Sequence, residues 1–172
     1  MCKLKNSFVY LLKIRLKTQI MALKIGDKIP ELLGIDADGN EVMASQFKGK
    51  KLVIYFYPKD NTSGCTAEAC SLSNGYDNLL KAGYAVIGVS KDSVASHRKF
   101  SDKYSLPFKL IADTELVLNK AFGVWQEKKM CGKVYMGTVR TTFVTDENGV
   151  ITHIINKVNT KDAANQILKV IK

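Results

Sequence analysis

The chain has 172 residues, of which 46% are hydrophobic and 24% charged, with only 3 Pro and 12 Gly. That composition excludes disordered, collagen-like and membrane-spanning proteins, and the length suffices for a core without structural disulfides or metal. The net charge of +10 is uneven: Met1–Met21 carries Lys3, Lys5, Lys13, Arg15 and Lys17 with no acid, leaving 21 basic against 16 acidic side chains over residues 22–172. With no aromatic residues interleaved in a basic patch, the remainder is an ordinary basic surface, and no nucleic-acid partner is expected.

Residues 1–21 are read as a basic extension, disordered or a misassigned start, because Met21-Ala22-Leu23-Lys24 is itself a plausible beginning. The longest apolar run there, Phe8–Leu12, is too short for a signal sequence or a membrane span. A cytoplasmic protein with no membrane partner is expected.

Residues 22–172 are read as one domain. Gly34–Asp36 and Glu41–Met43 flank Asp38-Gly39 as a short N-terminal hairpin. Leu52–Tyr57 is a continuous apolar and aromatic run, as expected of a central strand covered on both faces. Pro58 ends it, and Lys59–Gly64 leads into a helix from Cys65 to Lys81, closed by Gly83. Tyr84–Ser90 is a second buried strand, Asp92 an N-cap for a helix to Tyr104, Phe108–Ile111 a third strand, and Asp113 the cap of a helix ending near Gly123. Thr141–Thr145 and Val150–Ile155 flank Asp146-Glu147-Asn148-Gly149 as a second hairpin. Thr160–Ile171 is an amphipathic helix with Ala163, Ala164, Ile167, Leu168 and Ile171 on one face. This order predicts an α/β protein with a central mixed β-sheet flanked by helices on both faces. A right-handed crossover then puts the start of the Cys65 helix at the carboxyl end of a central strand.

The four cysteines, Cys2, Cys65, Cys70 and Cys131, form no CxxC, and the two histidines, His97 and His153, stand 56 residues apart. Neither a metal site nor a cofactor is expected. In a reducing compartment a close pair such as Cys65 and Cys70 serves chemistry rather than structure. At a helix start, unpaired N–H groups and the positive end of the dipole favour a negative sulfur, and thiolate is the nucleophilic form. His97, on a helix, and His153, on a strand, are read as structural or solvated. Cys131 is read as a structural or incidental thiol and Cys2 as a spectator.

Pro58-Lys59-Asp60-Asn61-Thr62-Ser63-Gly64-Cys65 is a P-x-x-x-T-x-x-C pattern, followed by Thr66-Ala67-Glu68-Ala69-Cys70. Together with Tyr55-Phe56-Tyr57, Gly123-Val124-Trp125, Tyr135-Met136-Gly137 and Arg140-Thr141-Thr142-Phe143, it resembles the peroxiredoxins of the AhpC/TSA superfamily. Within them it is similar to the class named for bacterioferritin comigratory protein, also called peroxiredoxin Q. The resemblance spans nearly all of residues 22–172, with Ser63 standing where many members carry a second proline. It implies a thioredoxin-like fold and a peroxidase that needs neither metal nor haem. It also makes Cys65 the peroxidatic cysteine, Thr62 the hydroxyl that bonds sulfur and peroxide, Pro58 the shield of the thiolate, and Arg140 a guanidinium reaching the same pocket from another strand. These roles suit the chemistry, because thiolate attack on an O–O bond builds negative charge on the departing oxygen, which fixed donors stabilise. Glu68 either orients Arg140 or compensates the helix dipole, and Tyr57 either lines the site or belongs to the core.

Attack leaves a sulfenic acid, with which a second thiol can condense; Cys70 is the candidate. Five residues along an ideal helix separate two Cα atoms by about 8.7 Å, beyond the roughly 7 Å limit for a disulfide. The Cys65–Cys70 bond therefore requires the Thr62–Leu72 region to unwind. The resemblance implies hydrogen peroxide and alkyl hydroperoxides as substrates and thioredoxin or a similar dithiol as reductant; the combined reading is a monomer. A general thiol–disulfide oxidoreductase and a redox-sensing protein remain the alternatives at this point.

Overall fold

A computed structural model describes residues 22–172; the extension read over 1–21, and Cys2 with it, lies outside the described residues. In chain order the elements are β1 (Leu32–Asp36), β2 (Glu41–Met43), β3 (Lys51–Phe56), α1 (Ser63–Asn74), α2 (Tyr76–Lys81), β4 (Tyr84–Ser90) and α3 (Val94–Tyr104). There follow β5 (Lys109–Ala112), α4 (Val117–Ala121), β6 (Trp125–Met130), β7 (Lys133–Thr138), β8 (Thr141–Thr145), β9 (Ile151–Ile155) and α5 (Ala163–Val170). Seven strands form one sheet in the order β2-β1-β5-β4-β3-β8-β9. The pairs of β3 with β4 and of β4 with β5 are parallel, and the others antiparallel. The N-terminal hairpin, the central strand and the mixed sheet are those expected from the sequence.

Strand β3 lies inside this sheet, between β4 and β8, and its side chains alternate between two cores. Val53 and Tyr55 join Ala69, Leu72, Leu79, Phe100 and Ile167 on the face covered by α1, α2, α3 and α5. Leu52, Ile54 and Phe56 pack with Leu118, Phe122 and Phe143 on the other face, beneath α4. Two covered faces explain why the strand reads as an unbroken apolar run. Among the described residues no helix is long and apolar enough to cross a membrane.

The helix expected from Cys65 to Lys81 is instead two helices, α1 and α2, meeting at Gly75. There α5 packs so closely that a Cβ on Gly75 would lie 2.3 Å from the Ala164 Cβ. Gly75→Ala is expected to destabilise the protein by about 1–3 kcal/mol, as overpacking usually does. An unchanged midpoint in urea would show that α5 simply moves aside.

The cap of α3 is Ser93, whose Oγ accepts from the Ser96 N–H at 3.2 Å, and not Asp92. Asp92 instead accepts from the Asp60 N–H at 2.9 Å and from the Ser90 hydroxyl at 2.8 Å. Asp113 caps α4 as expected, accepting from Leu118 N at 3.1 Å and Asn119 N at 2.7 Å, although Leu116 occupies the N-cap position itself. The β6–β7 hairpin, which is not among the elements expected from the sequence, is a separate two-stranded sheet whose pairing runs from Trp125↔Thr138 to Met130↔Lys133. Its turn is Cys131-Gly132, with φ of 51° and 77°. Left-handed turn positions favour Asn, Asp or Gly, so a cysteine there conceals the signal.

Candidate active site

The site begins where β3 ends. Pro58 follows that strand, half-buried, and Asn61 turns the chain at φ 58°. Thr62, with φ −86° and ψ 152°, takes the N-cap position of α1. Cys65 is therefore the third residue of the helix, within the first turn, where backbone N–H groups lack intrahelical acceptors. Its thiol is only 1% exposed and packs in the core cluster that includes Tyr55, Tyr57 and Ala69.

Arg140 comes from the two-residue link between β7 and β8. Its Nη2 donates to the Cys65 Sγ at 3.2 Å, while Nη1 donates to the Glu68 carboxylate one turn further along α1. Gly64 makes room for this approach, because a Cβ there would come within 3.3 Å of the Arg140 Nη2. The guanidinium thus links the sulfur and the acid. Burial works against its charge, but Glu68 and Cys65 outweigh burial and push the Arg140 pKa upward. Of the two readings of Glu68, the ion pair with Arg140 is the contact formed.

Glu68 is completely buried, and its Oε1 has no hydrogen-bond partner. Burial raises its carboxyl to about 7, against the pull of Arg140. Folding therefore retains a proton on Glu68 over the interval from the ordinary carboxylate value to about 7, so stability falls as pH rises through it. Glu68→Gln keeps an acceptor for Arg140 but does not titrate. Relative to wild type, the variant should gain about 2–3 kcal/mol between pH 4.5 and pH 8, measured by urea unfolding. A constant difference across that range would contradict the assignment.

Thr62 lies at the helix start, but its hydroxyl donates to the Lys59 carbonyl at 2.9 Å rather than to the Cys65 sulfur. Cys70 is half-buried in the same unbroken helix as Cys65, and both are free thiols. Cys131 is exposed at the tip of the β6–β7 hairpin. His153 is half-buried, with Nδ1 3.0 Å from the Thr152 hydroxyl. Among the described residues no group of three or more His, Cys, Asp or Glu is placed to hold a metal.

A second buried polar pair, which the sequence did not signal, holds the loop before Cys65. His97 Nδ1 lies 2.9 Å from Asp60 Oδ2, and Nε2 lies 3.1 Å from the Ile111 carbonyl. The ring thus bridges the Asp60 carboxylate and the Ile111 carbonyl, and it is wholly buried. The Tyr57 hydroxyl and the Ser96 hydroxyl each donate to Asp60 at 2.7 Å. Burial works to raise the Asp60 carboxyl, but His97, Ser96 and Tyr57 together hold it below its ordinary value. Tyr57 accordingly serves both core and loop. Asp60 and His97 lie far apart in sequence, so only tertiary structure reveals the pair.

Solved structures share this architecture. A cysteine-to-serine mutant of Xylella fastidiosa PrxQ superposes with a TM-score of 0.80 at 30% identity, covering 88% of this chain and 96% of that one. The Xanthomonas campestris bacterioferritin comigratory protein gives 0.76 at 35% identity, covering 84% and 97%. Among curated proteins, Bacillus subtilis peroxiredoxin Bcp is 43% identical over 152 residues, 88% of this chain and 97% of that protein. A putative peroxiredoxin Bcp of Coxiella burnetii is 44% identical over 138 residues, 80% and 91% respectively. Fold and relatives define a thiol-dependent peroxidase on a thioredoxin-like scaffold. The AhpC/TSA family matches residues 25–154, and the chain belongs to that family.

Proposed function

We propose that Cys65 is the nucleophile that reduces peroxide and that Cys70 resolves its oxidised form. The contact of Arg140 Nη2 with the Cys65 sulfur at 3.2 Å, in the first turn of α1, carries this reading. The Cys65 thiolate attacks the nearer oxygen of a hydroperoxide, the O–O bond breaks, and the departing oxygen takes a proton to leave as water or an alcohol. Arg140 and the helix-start N–H groups stabilise the charge that develops on it. Thr62 joins them by turning its hydroxyl from Lys59 towards the bound peroxide, and Pro58 shields the thiolate from bulk water.

The resulting sulfenic acid is attacked by the Cys70 thiolate, which expels hydroxide, protonated to water, and forms the Cys65–Cys70 disulfide. Thioredoxin or a similar dithiol then reduces that bond, itself becoming a disulfide. Hydrogen peroxide and alkyl hydroperoxides are the substrates; the Xanthomonas relative is described in terms of alkyl peroxide reduction, which supports the second. The protein works as a monomer in the cytoplasm.

Both thiols lie in one continuous helix, about 8.7 Å apart between Cα atoms by ideal geometry. The disulfide therefore forms only as α1 unwinds. One equivalent of peroxide should yield a Cys65–Cys70 disulfide by mass mapping, with a loss of far-ultraviolet helix signal. Cys70→Ser should still consume the first equivalent and then stall as the sulfenic acid. A bond to Cys131, or a Cys65–Cys70 bond with undiminished helix signal, would contradict this mechanism.

A further inference from the structure

Arg140 has a long side chain, and its aim depends on where its backbone is held. On its C-terminal side the anchor is the main sheet, through the pairing of Thr141 with Phe56. On its N-terminal side the chain comes from β7, which belongs to the separate two-stranded hairpin with its exposed Met130, Val134 and Met136. Two-stranded ribbons are marginally stable by themselves, so the hairpin cannot by itself fix the root of Arg140.

A buried polar chain supplies the missing anchor. Asp113 Oδ2 accepts from Asn119 N at 2.7 Å and from Asn119 Nδ2 at 2.8 Å. Because the amide nitrogen must face that carboxylate, the carboxamide has one orientation, with Oδ1 turned away. That oxygen accepts from the Thr138 hydroxyl at 2.6 Å. Asn119 is completely buried and Thr138 nearly so. The backbone doubles the connection: Val124 N donates to Asn119 O at 2.9 Å, and Val139 N donates to Val124 O at 2.8 Å. Thr138 and Val139 are the two residues immediately before Arg140.

We propose that Asn119 is a positioning residue for peroxide reduction: held by Asp113, it grips Thr138 at the base of the hairpin and thereby fixes the direction from which Arg140 meets the Cys65 sulfur. The polar chain thus ties the end of β5 to the active site. It rests on the role given to Arg140 under the proposed function, and the test separates the two. A buried hydrogen bond whose only effect is on stability would not be coupled to Arg140; one that aims Arg140 is coupled through it.

The experiment is a double-mutant cycle on the full chain. Thr138→Val, which nearly keeps the shape but removes the donor, is made in wild type and in Arg140→Met, and the second-order rate of Cys65 with hydrogen peroxide is measured by stopped flow. With Arg140 present, the rate should fall about tenfold, as small misplacements of a reacting group do. In Arg140→Met the same substitution should change nothing further, and Thr138→Ser, which restores a hydroxyl, should recover the wild-type rate. Thermal unfolding of each variant checks that the compared proteins are folded, and Asn119→Ser provides a second break in the chain. Equal falls in both backgrounds, or no fall in the wild-type background although Arg140→Met itself is slow, would overturn the positioning role. A wild-type rate in Arg140→Met would overturn the reading of Arg140, and the positioning role with it.

Discussion

Peroxide consumption by Cys65→Ser should fall to background, a loss of roughly 10³-fold or more, as expected when the nucleophile is removed. Serine is nearly isosteric, so the substitution leaves the packing around Tyr55 and Ala69 in place. What changes is the nucleophile, since a hydroxyl stays protonated at neutral pH and attacks an O–O bond poorly. The expected pattern across the thiols is distinctive. Cys131→Ser should turn over like wild type, because Cys131 lies exposed at the hairpin tip. Steady-state peroxide consumption with an excess of dithiol, with circular dichroism to verify folding, measures both. Residual turnover in Cys65→Ser comparable to wild type would place the chemistry elsewhere.

The largest effect on stability should come from His97→Phe. The ring would still pack beside Tyr57, its aromatic neighbour in the core. The Asp60 carboxylate, however, would stay buried without its His97 partner, and breaking such a pair costs about 3–5 kcal/mol. Adding Asp60→Asn to His97→Phe removes the stranded charge and should recover part of the loss. Because Asp60 is held below its ordinary pKa, the stability it contributes is complete above about pH 4 and fades as acid protonates it. Urea unfolding of the single and double variants at neutral pH is the measurement. A double variant less stable than His97→Phe would mean that Asp60 does not depend on His97. Since Asp60 directly precedes Asn61 and Thr62, His97→Phe should also slow peroxide reduction.

Much of this was legible in the sequence because the local signals agreed with the tertiary structure. The run Leu52–Tyr57 reads as a doubly covered strand because β3 has a core on each side. Pro58 and Gly64 bracket the turn into α1, and the close approach of Arg140 gives Gly64 a second reason to lack a side chain. The failures have equally physical causes. The break at Gly75 depends on Ala164, remote in sequence, so a helical pattern reads straight through it. The β6–β7 hairpin exposes much of both strands and turns on a cysteine, which weakens the usual alternation and turn chemistry. Glu68 was ambiguous because an acid in an early helical turn satisfies the dipole equally well; only the fold brings Arg140 to it. His97 and Asp60 each look unremarkable in isolation, and their meaning lies in being paired.

The most direct measurement is the second-order rate at which reduced protein loses its Cys65 thiol to hydrogen peroxide at neutral pH, followed by stopped flow. Trp125 stands at the base of the hairpin, 5.8 Å from the Lys91 ammonium, and offers an optical signal. With Arg140 and the first turn of α1 directed at the sulfur, the reaction should outpace that of free cysteine by at least a hundredfold, about the effect of one well-placed anion donor. A rate equal to that of free cysteine would contradict the assignment of Cys65 and Arg140 as the reacting centre.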